Sequence, residues 1–203
     1  MVVVKICGVT RPEDAMAAAE AGADWIGLNF YPRSPRFVTK DRACEILAAV
    51  PSHVQVVGVF VGATRDEVEE TAASLELDLL QFHGDEPPDY CTGWRWPVIK
   101  AIRLRTREDW ERARSYPVDF LLIDAHVPGQ FGGTGETADW MEIARLPVEQ
   151  PLILAGGLRA ENVAQAVRVV RPFAVDVASG VESSPGVKDA DALRRFVQNA
   201  KSA

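Results

Sequence analysis

Three side chains of this sequence could together do acid–base and anion chemistry: Cys7, Asp124 and Arg36. Lys5-Ile6-Cys7-Gly8 closes the first β-branched run, and because alternate residues of a strand share a face, Lys5 and Cys7 point the same way with Cys7 outermost. A free cysteine there has two readings. It is a small buried hydrophobe, or, beside a glycine that permits close backbone approach, it is a nucleophile or base whose thiolate is favoured. An unperturbed thiol of pKa about 8.5 is only slightly ionised at neutral pH, so the base reading requires local stabilisation of the anion. Leu121-Leu122-Ile123-Asp124 is an apolar run ending in a carboxylate. It reads either as a cap for the turn beyond, or as an acid that keeps its proton because burial and an anionic ligand disfavour the charge.

Three glycine-rich stretches stand after late apolar runs: Gly132-Gly133-Thr134-Gly135, Ala155-Gly156-Gly157-Leu158 and Ala178-Ser179-Gly180-Val181. Each alone is an ordinary turn signal, but together they suggest backbone amides gathered around a phosphate, with no P-loop lysine motif present. The segment Tyr31-Pro32-Arg33-Ser34-Pro35-Arg36-Phe37 stiffens two arginines between prolines. A pre-organised guanidinium suits a carboxylate in bidentate geometry, which makes Arg36 the candidate anion clamp.

These residues need elements that bring them to one place. Short β-branched runs alternate with amphipathic stretches along the whole chain. Strands are expected at Val2–Cys7, Trp25–Phe30, Gln55–Phe60, Leu79–His83, Val98–Arg103, Phe120–Ala125, Leu152–Ala155 and Ala174–Ala178. Helices are expected near Pro12–Glu20, Lys40–Ala49, Arg65–Leu75, Pro87–Gly93, Arg107–Arg114, Ala138–Ala144, Ala160–Val170 and Asp189–Ala200. Thr10, ahead of Arg11-Pro12-Glu13, is the expected cap of the first helix, and Thr64-Arg65-Asp66-Glu67 is a capping-box pattern. Eight βα units with right-handed crossovers close into an α/β (β/α)8 TIM barrel, with an open doubly wound sheet as the alternative. In the barrel, chemistry belongs just after each strand. The regular period across residues 1–203 is read as a single barrel domain.

Composition narrows the partners. With 203 residues, 47% of them hydrophobic, the chain can bury one sizeable core. A net charge of −7 with 22 Lys and Arg argues against a nucleic-acid surface. No apolar run reaches the roughly 18 residues of a membrane span, and Met-Val-Val-Val-Lys-Ile-Cys-Gly reads as a first strand rather than a leader, so a soluble, cytoplasmic protein is expected. Cys7, Cys44 and Cys91 are widely spaced and without CxxC, which suggests neither a disulfide framework nor a zinc site.

Lys5-Ile6-Cys7-Gly8, Ser34-Pro35-Arg36, Gln81-Phe82-His83-Gly84-Asp85-Glu86, the three glycine stretches and Val175-Asp176-Val177-Ala178-Ser179-Gly180-Val181-Glu182 occur in one order along the chain. That set resembles the phosphoribosylanthranilate isomerase family of tryptophan biosynthesis. The resemblance implies an aldose–ketose isomerase that needs no metal or organic cofactor. Its reaction is an Amadori rearrangement of N-(5-phosphoribosyl)anthranilate to 1-(2-carboxyphenylamino)-1-deoxyribulose 5-phosphate. It implies Asp124 as general acid, Cys7 as general base, Arg36 facing the anthranilate carboxylate, and Gly133, Gly156, Gly157, Ser179 and Gly180 around the phosphate. His83 and Asp176 fall inside its motifs; His83 could also pack under the mouth, and Asp176 could pair with Lys5. Glu136 departs from the lysine of many relatives and weakens the pull of that loop on phosphate. The chain is expected to act on a small molecule as a monomer or homodimer, without nucleic acid or membrane. The rival readings are an indole-glycerol-phosphate synthase-like barrel, built around a lysine and a glutamate, and a non-catalytic phosphosugar-binding barrel with Cys7 and Asp124 packed away from the mouth.

Overall fold

The computed structural model describes residues 1–104, 107–124, 136–145, 147 and 149–203. Eight strands carry the fold: β1 (Val3–Cys7), β2 (Trp25–Asn29), β3 (Gln55–Phe60), β4 (Leu79–Phe82), β5 (Val98–Arg103), β6 (Phe120–Asp124), β7 (Leu152–Ala155) and β8 (Ala174–Val177). They pair in parallel in chain order, and β8 returns to β1 with Lys5 opposite Asp176, closing the barrel. Between and after them lie α1 (Pro12–Glu20), α2 (Lys40–Leu47), α3 (Arg65–Ser74), α4 (Arg107–Arg114), α5 (Glu136–Ile143), α6 (Val163–Val170) and α7 (Ala190–Lys201).

Burial on both faces explains why the strands read as continuous apolar runs, as parallel sheets require. Trp25, Val57, Leu79, Ile99, Leu122, Ile153 and Ala174 pack together as one set inside the barrel. Their chain neighbours Ile26, Val56, Leu80, Val98, Leu121, Leu154 and Val175 join the larger core between sheet and helices. Alternation along each strand therefore sorts two cores. At the floor, Trp25, Phe120 and Phe173 meet as an aromatic triangle with centroids 5.3 to 6.0 Å apart. Asp24, Asp78 and Asp119 stand one residue before β2, β4 and β6, and each accepts an amide from the strand before: Val4, Val56 and Val98 at 2.8, 2.7 and 2.8 Å.

The expected strands are present to within a residue at each end, Ala125 lying outside the described residues. The helix expected over Pro87–Gly93 is absent. That segment makes successive turns, with Tyr90, Cys91 and Thr92 each donating to the carbonyl three residues back. Arg65 explains the difference: its Nη1 takes the carbonyls of Tyr90 and Thr92 at 3.0 and 3.1 Å, and its guanidinium lies 4.0 Å from the centroid of Trp94. Carbonyls captured in this way are not available to continue a helix.

Thr10 does not cap α1 either. Its hydroxyl donates to Gly186 O at 2.6 Å, and Arg11 takes the cap position without a side-chain bond. Gly186 lies in a small hairpin that the sequence pattern does not announce, formed by β9 (Glu182–Ser184) and β10 (Val187–Lys188) after a 3-10 turn at Ser179–Val181. The Thr64–Glu67 capping box is formed as expected.

Candidate active site

The C-terminal ends of the strands surround a cavity of about 850 Å³. Cys7, Arg36, His83, Asp124, Gly156, Gly157, Asp176, Ser179 and Gly180 all line it. Gly133 and the whole Gly132–Gly135 stretch lie outside the described residues, and Glu136 opens α5. Residues that the sequence reading missed complete the wall: Asn29, Arg103, Arg112 and Arg159. Asn29 and Arg103 end β2 and β5, so the rule that found Cys7 and Asp124 also marks them.

Cys7 is partly exposed to the cavity, with Lys5 fully buried beneath it. Lys5 Nζ donates to Asp176 Oδ1 at 2.8 Å, the pairing anticipated from sequence. Burial alone would lower the Lys5 ammonium, but Asp176 and Cys7 outweigh it and hold it above its ordinary value. The base reading of Cys7 carries the condition that its thiolate be favoured, and the surroundings pull the other way. Burial pushes the Cys7 thiol above its usual range, Asp176 adds to that, and the opposing pull of Lys5 and Lys188 does not compensate. The balance favours the neutral thiol.

At the end of β4, Gln81 Nε2 donates to His83 Nδ1 at 3.0 Å. Burial lowers the His83 pKa, against the pull of Asp124 and Asp176, so the ring is neutral and keeps Nε2–H as its donor. Gln81 Oε1 is, among the described residues, a buried acceptor without a partner.

Arg36 sits differently from the expected open clamp. Glu182 occupies one edge of its fork, accepting from Nε at 2.8 Å and Nη2 at 2.6 Å, and these bonds raise the guanidinium's already high pKa. Of the five guanidinium donors, those on the Nη1 edge remain for a ligand. Gly8 makes this packing possible, since it adopts φ +71° and a Cβ there would come within 2.3 Å of Arg36 Cδ. Glu182 Oε1, the oxygen that accepts from Arg36 Nε, also accepts from Lys188 Nζ at 2.8 Å. Burial would raise the Glu182 carboxyl, but the hydrogen bonds from Arg36 and Lys188 outweigh it and keep it below its ordinary value. In the turn after β8, Gly180 packs so tightly that a Cβ would lie 1.9 Å from Leu158 O, which joins that turn to the Gly156–Gly157 loop.

The rival readings can be weighed on this geometry. Lys100 and Glu86 form a buried pair at 2.7 Å, with Lys100 also bound to the carbonyls of Gly84 and Phe82, and neither lines the cavity. No lysine–glutamate constellation faces the ligand space from that pair, while Cys7 and Asp124 are not packed away from it.

Comparison with known proteins agrees with this arrangement. Residues 4–199 match the family described as N-(5'-phosphoribosyl)anthranilate (PRA) isomerase. A protein of Pseudomonas savastanoi pv. phaseolicola called N-(5'-phosphoribosyl)anthranilate isomerase is 53% identical over 197 residues, covering 95% of this chain and 94% of its own. The crystal structure of phosphoribosyl anthranilate isomerase from Thermotoga maritima superposes with a TM-score of 0.89 at 43% identity, over 100% of both chains. A phosphoribosyl anthranilate isomerase solved with reduced 1-(o-carboxyphenylamino)-1-deoxyribulose 5-phosphate gives a TM-score of 0.85 at 40% identity, again over 100% of both chains. With its fold and nearly its whole length matched, the chain belongs to the N-(5'-phosphoribosyl)anthranilate isomerase family.

Proposed function

We propose that this chain catalyses the Amadori rearrangement of N-(5-phosphoribosyl)anthranilate to 1-(2-carboxyphenylamino)-1-deoxyribulose 5-phosphate in tryptophan biosynthesis, as a cytoplasmic aldose–ketose isomerase of one barrel domain. The observation that carries the reading is the convergence on one cavity of Cys7, Asp124, Arg36 and the glycine turns after β7 and β8. Asp124 protonates the furanose ring oxygen, and the nitrogen lone pair opens the ring to a Schiff base. Cys7 then removes the C2′ proton, giving an enolamine that tautomerises to the ketone. Two groups at different strand ends suit a reaction needing an acid and a base at different atoms of one substrate. The remaining edge of Arg36 takes the anthranilate carboxylate. Backbone amides of Gly156, Gly157, Ser179 and Gly180, with Gly133, take the phosphate. Neutral His83 and the Lys5-paired Asp176 line the space between.

The test is the fluorescence decay of phosphoribosylanthranilate in the presence of the purified chain, with Asp124→Asn as control. Turnover by the wild type and a loss of about 10² to 10⁴ in Asp124→Asn are expected, since the amide cannot supply the proton. No turnover by the wild type would overturn the activity; an Asn variant above about a tenth of the wild-type chemical rate would overturn the role of Asp124.

A further inference from the structure

Lys188 belongs to the two-residue strand β10, outside every motif that pointed to the site, and its side chain is fully buried. Its ammonium donates to three acceptors: Cys7 O at 2.6 Å, Glu182 Oε1 at 2.8 Å and Ala178 O at 3.2 Å. Three donors meeting three oxygens is an arrangement only the protonated amine can satisfy. Burial pulls the Lys188 pKa down, and Glu182 opposes that pull. Each acceptor leads to a different part of the cavity. Cys7 O is the end of β1, Ala178 O precedes the turn carrying Ser179 and Gly180, and Glu182 holds the Arg36 fork. The hairpin is itself fastened to the loop after β1 by Thr10 Oγ1 on Gly186 O at 2.6 Å, and to α1 by Lys188 N on Asp14 Oδ2 at 3.1 Å.

We propose that Lys188 is a positioning residue for the isomerisation, a buried charge that fixes the end of β1 and the turn after β8 directly and sets Arg36 through Glu182. The inference rests on the assignment of Cys7, Arg36 and the phosphate turn given above. It adds that their mutual placement depends on one ammonium. It also gives Cys7 a fixed electrostatic surrounding: Lys5 on its own strand, Asp176 on β8, Lys188 on β10 and Arg36 on the loop after β2, with Glu182 offsetting the last two. Removing the positive charge of Lys188 disfavours the thiolate. Removing the negative charge of Glu182 favours it.

That opposition of sign is the test. Alkylation of Cys7 by iodoacetamide is followed against pH in the full chain, with the Cys7 peptide resolved by mass from that of exposed Cys44, alongside kcat and KM for phosphoribosylanthranilate. Lys188→Met is expected to move the alkylation midpoint to higher pH and to lower kcat by about a hundredfold, the scale of a misplacement of order 1 Å at reacting groups. Glu182→Gln is expected to move the midpoint to lower pH while raising KM, because Arg36 loses its brace. General loosening of the fold would expose the thiol alike in both variants and shift the midpoints in one direction. Shifts of the same sign, or midpoints unmoved in both, would overturn the proposal. Should Lys188→Met fail to fold, the downward shift in Glu182→Gln decides alone. Wild-type turnover in Cys7→Ser would remove the base assignment without touching the alkylation result, so the two readings fail separately.

Discussion

A thiol held neutral by burial acts as a base only in the fraction of molecules that have lost the proton. The sign follows directly: the Cys7 pKa is raised, the deprotonated form is the active one, and so kcat/KM should climb with pH through neutrality and beyond the ordinary thiol range. A profile of kcat/KM measured between about pH 6 and 9 that stays flat would show that the essential base is not this thiol. Cys7→Ser, whose hydroxyl ionises far less readily, should lower turnover by about 10² or more while leaving product affinity within about tenfold. At this scale much of the candidate site was legible, because the cavity-lining residues at strand ends stand in short contiguous motifs such as Lys5-Ile6-Cys7-Gly8. Their tuning was not. The Arg36–Glu182 bridge joins residues 146 apart in sequence, and no local pattern reveals that the fork already has a partner.

At the scale of elements, the turns after β7 and β8 are set by contact between loops rather than by glycine content alone. Gly180 illustrates it, since the carbonyl of Leu158 occupies the space a side chain would need. Gly180→Ala must therefore separate the turns after β7 and β8. It should raise KM for the phosphorylated substrate by about tenfold or more, equivalent to losing a charge-assisted hydrogen bond, and weaken inhibition by inorganic phosphate in parallel. Unchanged phosphate inhibition would show that these turns do not hold the anion. The strands were readable because burial on both faces leaves runs such as Trp25–Asn29, and most helices because their apolar stripes repeat. The segment Pro87–Gly93 was not, because the outcome depends on Arg65 arriving from α3 to take its carbonyls. The hairpin β9–β10 was missed for a related reason: Ser-Ser-Pro-Gly reads as a loop, and its hold on the barrel comes from Thr10, Asp14 and Cys7, far away in the chain.

At the scale of the molecule, a chain of net charge −7 gathers Arg36, Arg103, Arg112 and Arg159 around the cavity at the strand C-terminal ends. A ligand carrying carboxylate and phosphate is repelled by the whole and attracted by the part, and the part wins because its charges lie closest to the ligand, so that screening them weakens encounter. Thus kcat/KM should fall as ionic strength rises from about 0.01 to 0.15 M, where the Debye length shrinks from roughly 30 to 8 Å. A rise over the same range would mean that overall repulsion governs encounter. The opposite pole has a consequence of its own. Trp25, Phe120 and Phe173 seal the floor, and the Lys5–Asp176 pair fills the barrel below Cys7. Among the described residues the barrel is therefore a cup open at the strand C-terminal ends, not a conduit. Incoming substrate and outgoing product must use the same opening in turn, so every product molecule that lingers bars the next entrant, and vacating the cup is a step that faster chemistry cannot bypass.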